Sequence, residues 1–267
     1  MTVSLETAGV LHLSAAVLLA AGVVISWLPT TRQRWVALSV FVAGTMTLTA
    51  EGWVRTMITG RPPVVGSYEN TLVVAAMIAL ACVLILLWAP SPVRLNLTRL
   101  TSPWALAALA FGALFGAAPL VIGVEGRGLL AYGHAFVGWL DFTVLLVGTM
   151  AAVGMLVHRR EGVGAWQAVM TRMLGAGFAL LTATMATGAL LSFGVFGSWY
   201  QWQIVETLSA VLWLAYGVAL HAFLLFGWRD KRLAVLTVTL LPVVLATFWV
   251  WAVYPATYHF FERVLGS

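Results

Sequence analysis

Eight stretches of about twenty apolar residues follow one another along the chain with short polar breaks, near 9–28, 35–53, 71–89, 104–122, 130–157, 173–195, 207–227 and 233–254. About twenty apolar residues let an α-helix cross the ~30 Å hydrocarbon core of a bilayer. Only helices and closed barrels satisfy their backbone polar groups there. The pattern predicts an all-α fold, a polytopic membrane helix bundle of about eight transmembrane helices. With 62% hydrophobic and 9% charged residues among 267, no separate soluble domain fits, and 1–267 reads as one integral-membrane domain. The fifth stretch is long enough to tilt or project from the bilayer.

Charge sets the expected topology. The leader MTVSLET carries no Lys or Arg and reads as the start of a retained helix, not a cleavable signal. With N- and C-termini both outside, Arg32, Arg34, Arg94, Arg99, Arg159, Arg160, Arg172, Arg229, Lys231 and Arg232 lie inside and Arg55, Arg61, Arg127 and Arg263 outside, ten against four. That is a strong positive-inside bias. The net charge of +5 is then a matter of topology, so the bilayer is the expected partner and nucleic acid is not. The single Cys82 lies in an apolar stretch, and no CxxCH is present, so the chain carries no covalent c-type haem of its own.

Unusual residues gather in the predicted outer loops. Pro62 and Pro63 in VRTMITGRPPVVGSYEN (54–70) cannot continue a helix, so this segment lies at the surface or packs on the bundle. GVEGRGL (123–129) reads as a flexible turn. The longer inner segment 158–172 predicts a short interfacial helix with Trp166 at headgroup level. Trp27, Trp35, Trp53, Trp88, Trp104 and Trp228 fit the ordinary role of interfacial anchors. Trp199, Tyr200 and Trp202 in GSWYQWQIVET (197–207) are denser than anchoring needs. They offer a flat apolar ligand a stacking platform, with Ser198, Gln201, Gln203 or Arg side chains available to its carboxylates.

Three histidines frame that loop. His134, near the outer start of the fifth span, and His259, just past the eighth, fall on the same side of the membrane although 125 positions apart. Two neutral imidazoles facing each other across a gap hold one haem iron from both sides; two interfacial histidines bonded to headgroups or backbone would occupy the same positions. His221 lies about 21 Å below the outer end of its span at 1.5 Å per residue, in the inner half of the bilayer. It is there either a core histidine bonded to a neighbouring helix or an axial ligand whose mate comes from His158 or a partner protein. His12 is placed too shallow to meet it. Asp141, further along the same span as His134, is either paired or protonated.

These motifs resemble the haem-handling cytochrome c assembly family, the CcsA/ResC branch with its tryptophan-rich WWD loop. The family loop reads approximately W-G-S-Y-W-S-W-D-P-K-E-T, followed by a span with W-L-x-Y-x-x-x-L-H. Here FGSWYQWQIVET (196–207) precedes LWLAYGVALHAFLLFGWR (212–229), with Glu206, Thr207, Trp213, Tyr216 and His221 in register. An earlier signature, G-H-x-P-x-x-N-x-Y-E-S, is matched by GRPPVVGSYEN (60–70), retaining Gly60, Pro63, Tyr68 and Glu69. His134 in YGHAFVGWLDF and His259 in YPATYHFF match the two outer histidines. The resemblance covers about 50–262.

The resemblance implies a protein of the inner (cytoplasmic) membrane whose periplasmic face holds haem b between His134 and His259. Trp199, Tyr200, Trp202, Gln203 and Glu206 would lie against it, for delivery to a periplasmic apocytochrome c as part of a cytochrome c haem lyase. His221 would match the family's ligand within the membrane, its mate supplied by a companion membrane assembly protein. The family's Asp, Pro and Lys are replaced here by Gln203, Ile204 and Val205. Their loss beside three retained histidines leaves a second reading open: a b-type haem subunit of a respiratory complex, passing electrons from quinol to a periplasmic cytochrome. A third is a haem-free scaffold or transporter.

Overall fold

The structure is a computed structural model describing residues 4–28, 32–60, 62–64, 66–115, 128–158 and 162–253, of which 230 and 251–253 are described by backbone only. The described residues are mostly helical, with no strand among them, and seven helical stretches, the last of them Lys231–Val250, are long and apolar enough to cross a membrane. The protein is thus an all-helical, multi-span membrane protein. The fourth expected span is described only to Phe115, as helix Pro103–Gly112 and a 3-10 turn over Ala113–Phe115.

Contacts gather the chain into two units, residues 1–122 and 123–267. The first contains α1 (Leu5–Trp27), α2 (Gln33–Thr59), α3 (Ser67–Trp88), α4 (Ser91–Thr101) and α5 (Pro103–Gly112). Small residues let α1 and α2 approach closely. A Cβ on Gly22 would meet the Phe41 ring at 2.9 Å, and one on Gly44 would meet Leu19 at 2.9 Å. Those pairs run in opposite directions, so the helices are antiparallel. Gly60, in the left-handed region at φ 71°, ends α2. The chain then folds back on α2: Pro63 lies 3.3 Å from a Cβ built on Gly52. The double-proline segment therefore packs on the helices, one of the two placements its composition allows.

The second unit contains α6 (Gly128–Val157), α7 (Val163–Phe196), α8 (Ile204–Leu224), α9 (Asp230–Thr239) and α10 (Leu241–Val253). Its seam is the antiparallel pair α6–α7. Along it His134 meets Gly188, Gly138 meets Thr184, Leu145 meets Gly177, Gly148 meets Met173 and Gly154 meets Trp166. Glycine on one side of each contact admits a larger side chain on the other. The last expected span is broken between α9 and α10 at Leu240, two residues before Pro242, which cannot donate the helical hydrogen bond to Val238.

The segment 158–172 is not a separate interfacial helix. From Val163 it is the first part of α7, which runs 34 residues without interruption, about 51 Å at the α-helical rise. Trp166 is no headgroup anchor either. It is 1% exposed, sits over Gly154 and stacks on His158 with ring centroids 5.8 Å apart at 5°. An indole has more to gain from a shaped apolar slot than from an interface, and the missing side chain of Gly154 makes that slot.

Candidate functional site

The aromatic loop joins α7 to α8. Gly197, at φ 70°, ends α7, and Gln203 occupies the N-cap position of α8. The Ser192 hydroxyl donates to the Ser198 carbonyl at 2.7 Å, and the Ser198 hydroxyl donates to the Tyr200 carbonyl at 2.9 Å. The Gln201 backbone N–H donates to the Glu206 carboxylate at 2.7 Å. Glu206 thus braces the loop from the first turn of α8, a longer version of the reach a capping-box glutamate makes. Ser198 and Gln201, expected to meet a ligand, are turned onto the loop itself; the Gln201 amide lies 3.4 Å from both the Ser192 hydroxyl and the Ser198 carbonyl.

On this frame sit two aromatic pairs. Trp199 stacks on Phe193 at 4.4 Å and 17°, and Tyr200 meets Trp202 edge to face at 4.8 Å and 80°. Trp202 is 81% exposed. Its backbone is at φ 58°, the only left-handed non-glycine conformation among the described residues. For a bulky side chain that costs about 1–2 kcal/mol. The loop holds a large apolar ring outward in a conformation the residue would not choose.

His134 lies toward the same end of unit 2 as the loop. Its Nδ1 is 3.0 Å from the Thr187 hydroxyl, and Thr187 is nine residues before the end of α7, about 13 Å along the axis. The Thr187 hydroxyl donates to the carbonyls of Ala183 (2.8 Å) and Thr184 (3.0 Å). With its one hydrogen on a carbonyl of its own helix, the usual arrangement for a helical threonine, it accepts from a His134 Nδ1 that carries the hydrogen. The ring lies flat against Gly188, where a Cβ would come within 3.0 Å of Cε1. His259, its expected mate, lies outside the described residues.

His221 is in the last turn of α8, about 25 Å along that helix from its start. It is exposed and makes no bond to a neighbouring helix among the described residues: its Nδ1 donates to the carbonyl of Gly217 one turn back, at 2.7 Å. His134 and His221 therefore share a tautomer, with hydrogen on Nδ1 and the lone pair on Nε2. That is the state in which a neutral imidazole ligates a metal. His158 instead stacks on Trp166. Asp141 is fully buried, and neither carboxyl oxygen has a hydrogen-bond partner among the described residues. The paired alternative for it has no support there. Trp213, in register with the family pattern, donates its indole N–H to the Thr182 hydroxyl at 2.9 Å and stacks on Phe178, tying α8 to α7 beneath the loop.

Unit 1 holds a polar cluster that the sequence did not announce. Tyr68 donates to Glu51 at 3.0 Å and lies 2.7 Å from His12 Nδ1. His12 Nδ1 is also 3.1 Å from the second Glu51 oxygen. Arg55 pairs with Glu51 at 3.1 Å, covers the Tyr68 ring at 4.1 Å and reaches Glu69 at 3.9 Å. Three helices meet through these side chains, and Tyr68 and Glu69 are two of the residues retained from the earlier signature. The visible signal was Glu51 and Arg55 at i,i+4 in an apolar span. Their tie to His12, 39 positions away, had none.

Residues 9–255 match the family described as cytochrome C assembly protein. Among similar proteins is a cytochrome c biogenesis protein CcsA from Synechococcus sp. (strain CC9902), 28% identical over 254 residues, covering 80% of this chain and 82% of that one. Another CcsA, from Gloeobacter violaceus (strain ATCC 29082 / PCC 7421), is 31% identical over 100 residues, 38% of this chain and 30% of its own. Among solved structures, a cytochrome c haem lyase CcmF superposes with a TM-score of 0.75 at 15% identity, over 93% of this chain and 47% of that one. At that identity the likeness is one of fold.

Proposed function

The chain belongs to the cytochrome c assembly family, and on that premise we propose that it is a haem-handling membrane protein acting in the attachment of haem to c-type cytochromes. One observation carries the reading. Two histidines on different helices, His134 and His221, each have Nδ1 committed as a donor, leaving Nε2 as the coordinating atom. The residues present fit a haem: imidazole lone pairs, and an exposed aromatic platform at the His134 end.

In this reading the whole chain, 1–267, works as one haem-handling domain of the cytoplasmic membrane, with the loop end facing the periplasm. His134 and His259 hold haem b against Trp199, Tyr200 and Trp202. Glu206 and Gln203 fix the loop that carries those rings. His221, on an exposed face, coordinates together with a residue of a companion membrane assembly protein. When bound, the haem supplies vinyl groups that form thioethers with the thiols of a periplasmic apocytochrome c. The chain itself binds, orients and shields, and provides no nucleophile. The relatives are assembly proteins by name, which favours this reading over an electron-transfer subunit.

The test is the reduced-minus-oxidised spectrum of the purified full-length protein. A b-type α band is expected, diminished in His134→Ala and His259→Ala with the helical content unchanged. Deleting the gene should abolish covalent haem staining of periplasmic cytochromes. A haem-free wild-type protein, together with normal cytochrome maturation in the deletion strain, would overturn the reading.

A further inference from the structure

Unit 1 is electrically lopsided. Its acids Glu6, Glu51 and Glu69 all lie toward the end where α1 begins, α2 finishes and α3 begins, whereas segments 23–35 and 85–102 at the other end contain Arg32, Arg34, Arg94 and Arg99 and no Asp or Glu. Two of these arginines converge on the C-terminus of α3. Arg34 Nε donates to the Leu86 carbonyl at 2.8 Å and Nη2 to Leu87 at 3.4 Å; Arg94 Nε donates to Ala89 at 2.9 Å. A helix C-terminus offers about half a negative charge. Two guanidinium groups brought to it leave more than one positive charge uncompensated. Each guanidinium has five N–H donors, and most of those on Arg34 and Arg94 have no partner among the described residues.

The surroundings are those of a membrane surface. Trp88, which ends α3, is 74% exposed, and Leu84 and Leu80 continue one exposed apolar stripe along the helix away from the arginines. We propose that Arg34 and Arg94 form a headgroup site for an anionic phospholipid, its phosphodiester held by the free guanidinium nitrogens and an acyl chain lying along Leu80, Leu84 and Trp88. Arginine's planar fork matches two phosphate oxygens at once. A zwitterionic lipid would bring its own cation to an already positive corner, so the site selects net negative headgroups. This is independent of the haem reading: it concerns unit 1 and needs no metal.

The full-length protein in nonionic detergent tests it. Thermal unfolding is followed by tryptophan fluorescence with added phosphatidylglycerol, phosphatidylcholine or inorganic phosphate, and retained lipid is counted by native mass spectrometry. Phosphatidylglycerol should raise the midpoint and be retained, while the other two should not. In Arg34→Gln/Arg94→Gln, phosphatidylglycerol affinity should fall tenfold or more, because the charge-assisted hydrogen bonds to its phosphate are lost. Lys231→Gln in unit 2 should leave it unchanged. Should the double variant not fold, Arg94→Gln, which loses a single carbonyl contact, is read in the same way. Equal stabilisation by phosphatidylcholine, reproduction of the shift by phosphate alone, or undiminished binding in a folded variant would each overturn the proposal.

Discussion

His134 donates from Nδ1 to the Thr187 hydroxyl at 3.0 Å, and that hydroxyl donates onward to the Ala183 carbonyl at 2.8 Å. The direction of the chain fixes which imidazole nitrogen has a free lone pair. Thr187→Val keeps the shape and removes the acceptor. Haem retention should fall about 10–100-fold, the usual effect of removing a ligand's outer partner. Titration of apoprotein with haem measures it, and circular dichroism should show unchanged helix.

The space beside His134 depends on Gly188. In Gly188→Ala the new methyl would come within 3.0 Å of Cε1, so the ring must shift by a few tenths of an ångström. The b-type spectrum should broaden or weaken while the melting temperature moves by little. Gly194, near the end of the same helix, has nothing within 4 Å of a built Cβ. Gly194→Ala should therefore leave the spectrum alone and slightly stabilise the helix.

Trp202 permits a test of strain apart from function. Trp202→Ala removes the ring but keeps a side chain in the left-handed region; Trp202→Gly removes both ring and strain. The glycine variant should be the more stable of the two by about 1 kcal/mol, read from unfolding midpoints, while both lose haem binding alike. If the alanine variant were as stable as the glycine one, φ 58° at this position would carry no cost.

The buried charges of unit 1 should behave as a unit. Arg55→Met leaves Glu51 and Glu69 without their guanidinium, and breaking such a pair costs about 3–5 kcal/mol. Tyr68→Phe removes a hydroxyl shared by Glu51 and His12 and should cost about 1–3 kcal/mol. The double variant should lose less than the sum, because the two side chains serve the same carboxylate. Unfolding in detergent by chemical denaturant gives all three values.

Trp166 separates a core residue from an interfacial anchor. Trp166→Ala should destabilise by about 3–5 kcal/mol, whereas a headgroup anchor would cost a few tenths. The same substitution should expose the His158 ring, now stacked on it, to modification by diethyl pyrocarbonate.

The spans were legible because a bilayer imposes a length on every helix that crosses it, and a run such as 71–89 meets that length without reference to any other part of the chain. The loop was legible because Trp199, Tyr200 and Trp202 stand together in the sequence. Trp166 was misread for a related reason: a tryptophan in a polar-flanked segment looks interfacial until Gly154, twelve residues earlier on another helix, is seen to leave room for it. The His12–Glu51–Tyr68 cluster joins three helices, and nothing in one helix records what the other two bring. Ser198 and Gln201 are polar and flank the aromatic rings, so in the sequence alone they look like ligand contacts. In a loop this short, the backbone needed them first.

The α6–α7 seam has a mechanical consequence. Neither helix contains a proline, and their contacts stay in register from His134 with Gly188 at one end to Gly154 with Trp166 at the other. Such a pair is a stiff rod longer than the bilayer is thick, with no joint along it. A tilt at the end that carries the aromatic loop therefore moves the Trp166 end as well, since close packing along the pair leaves neither end free to move alone.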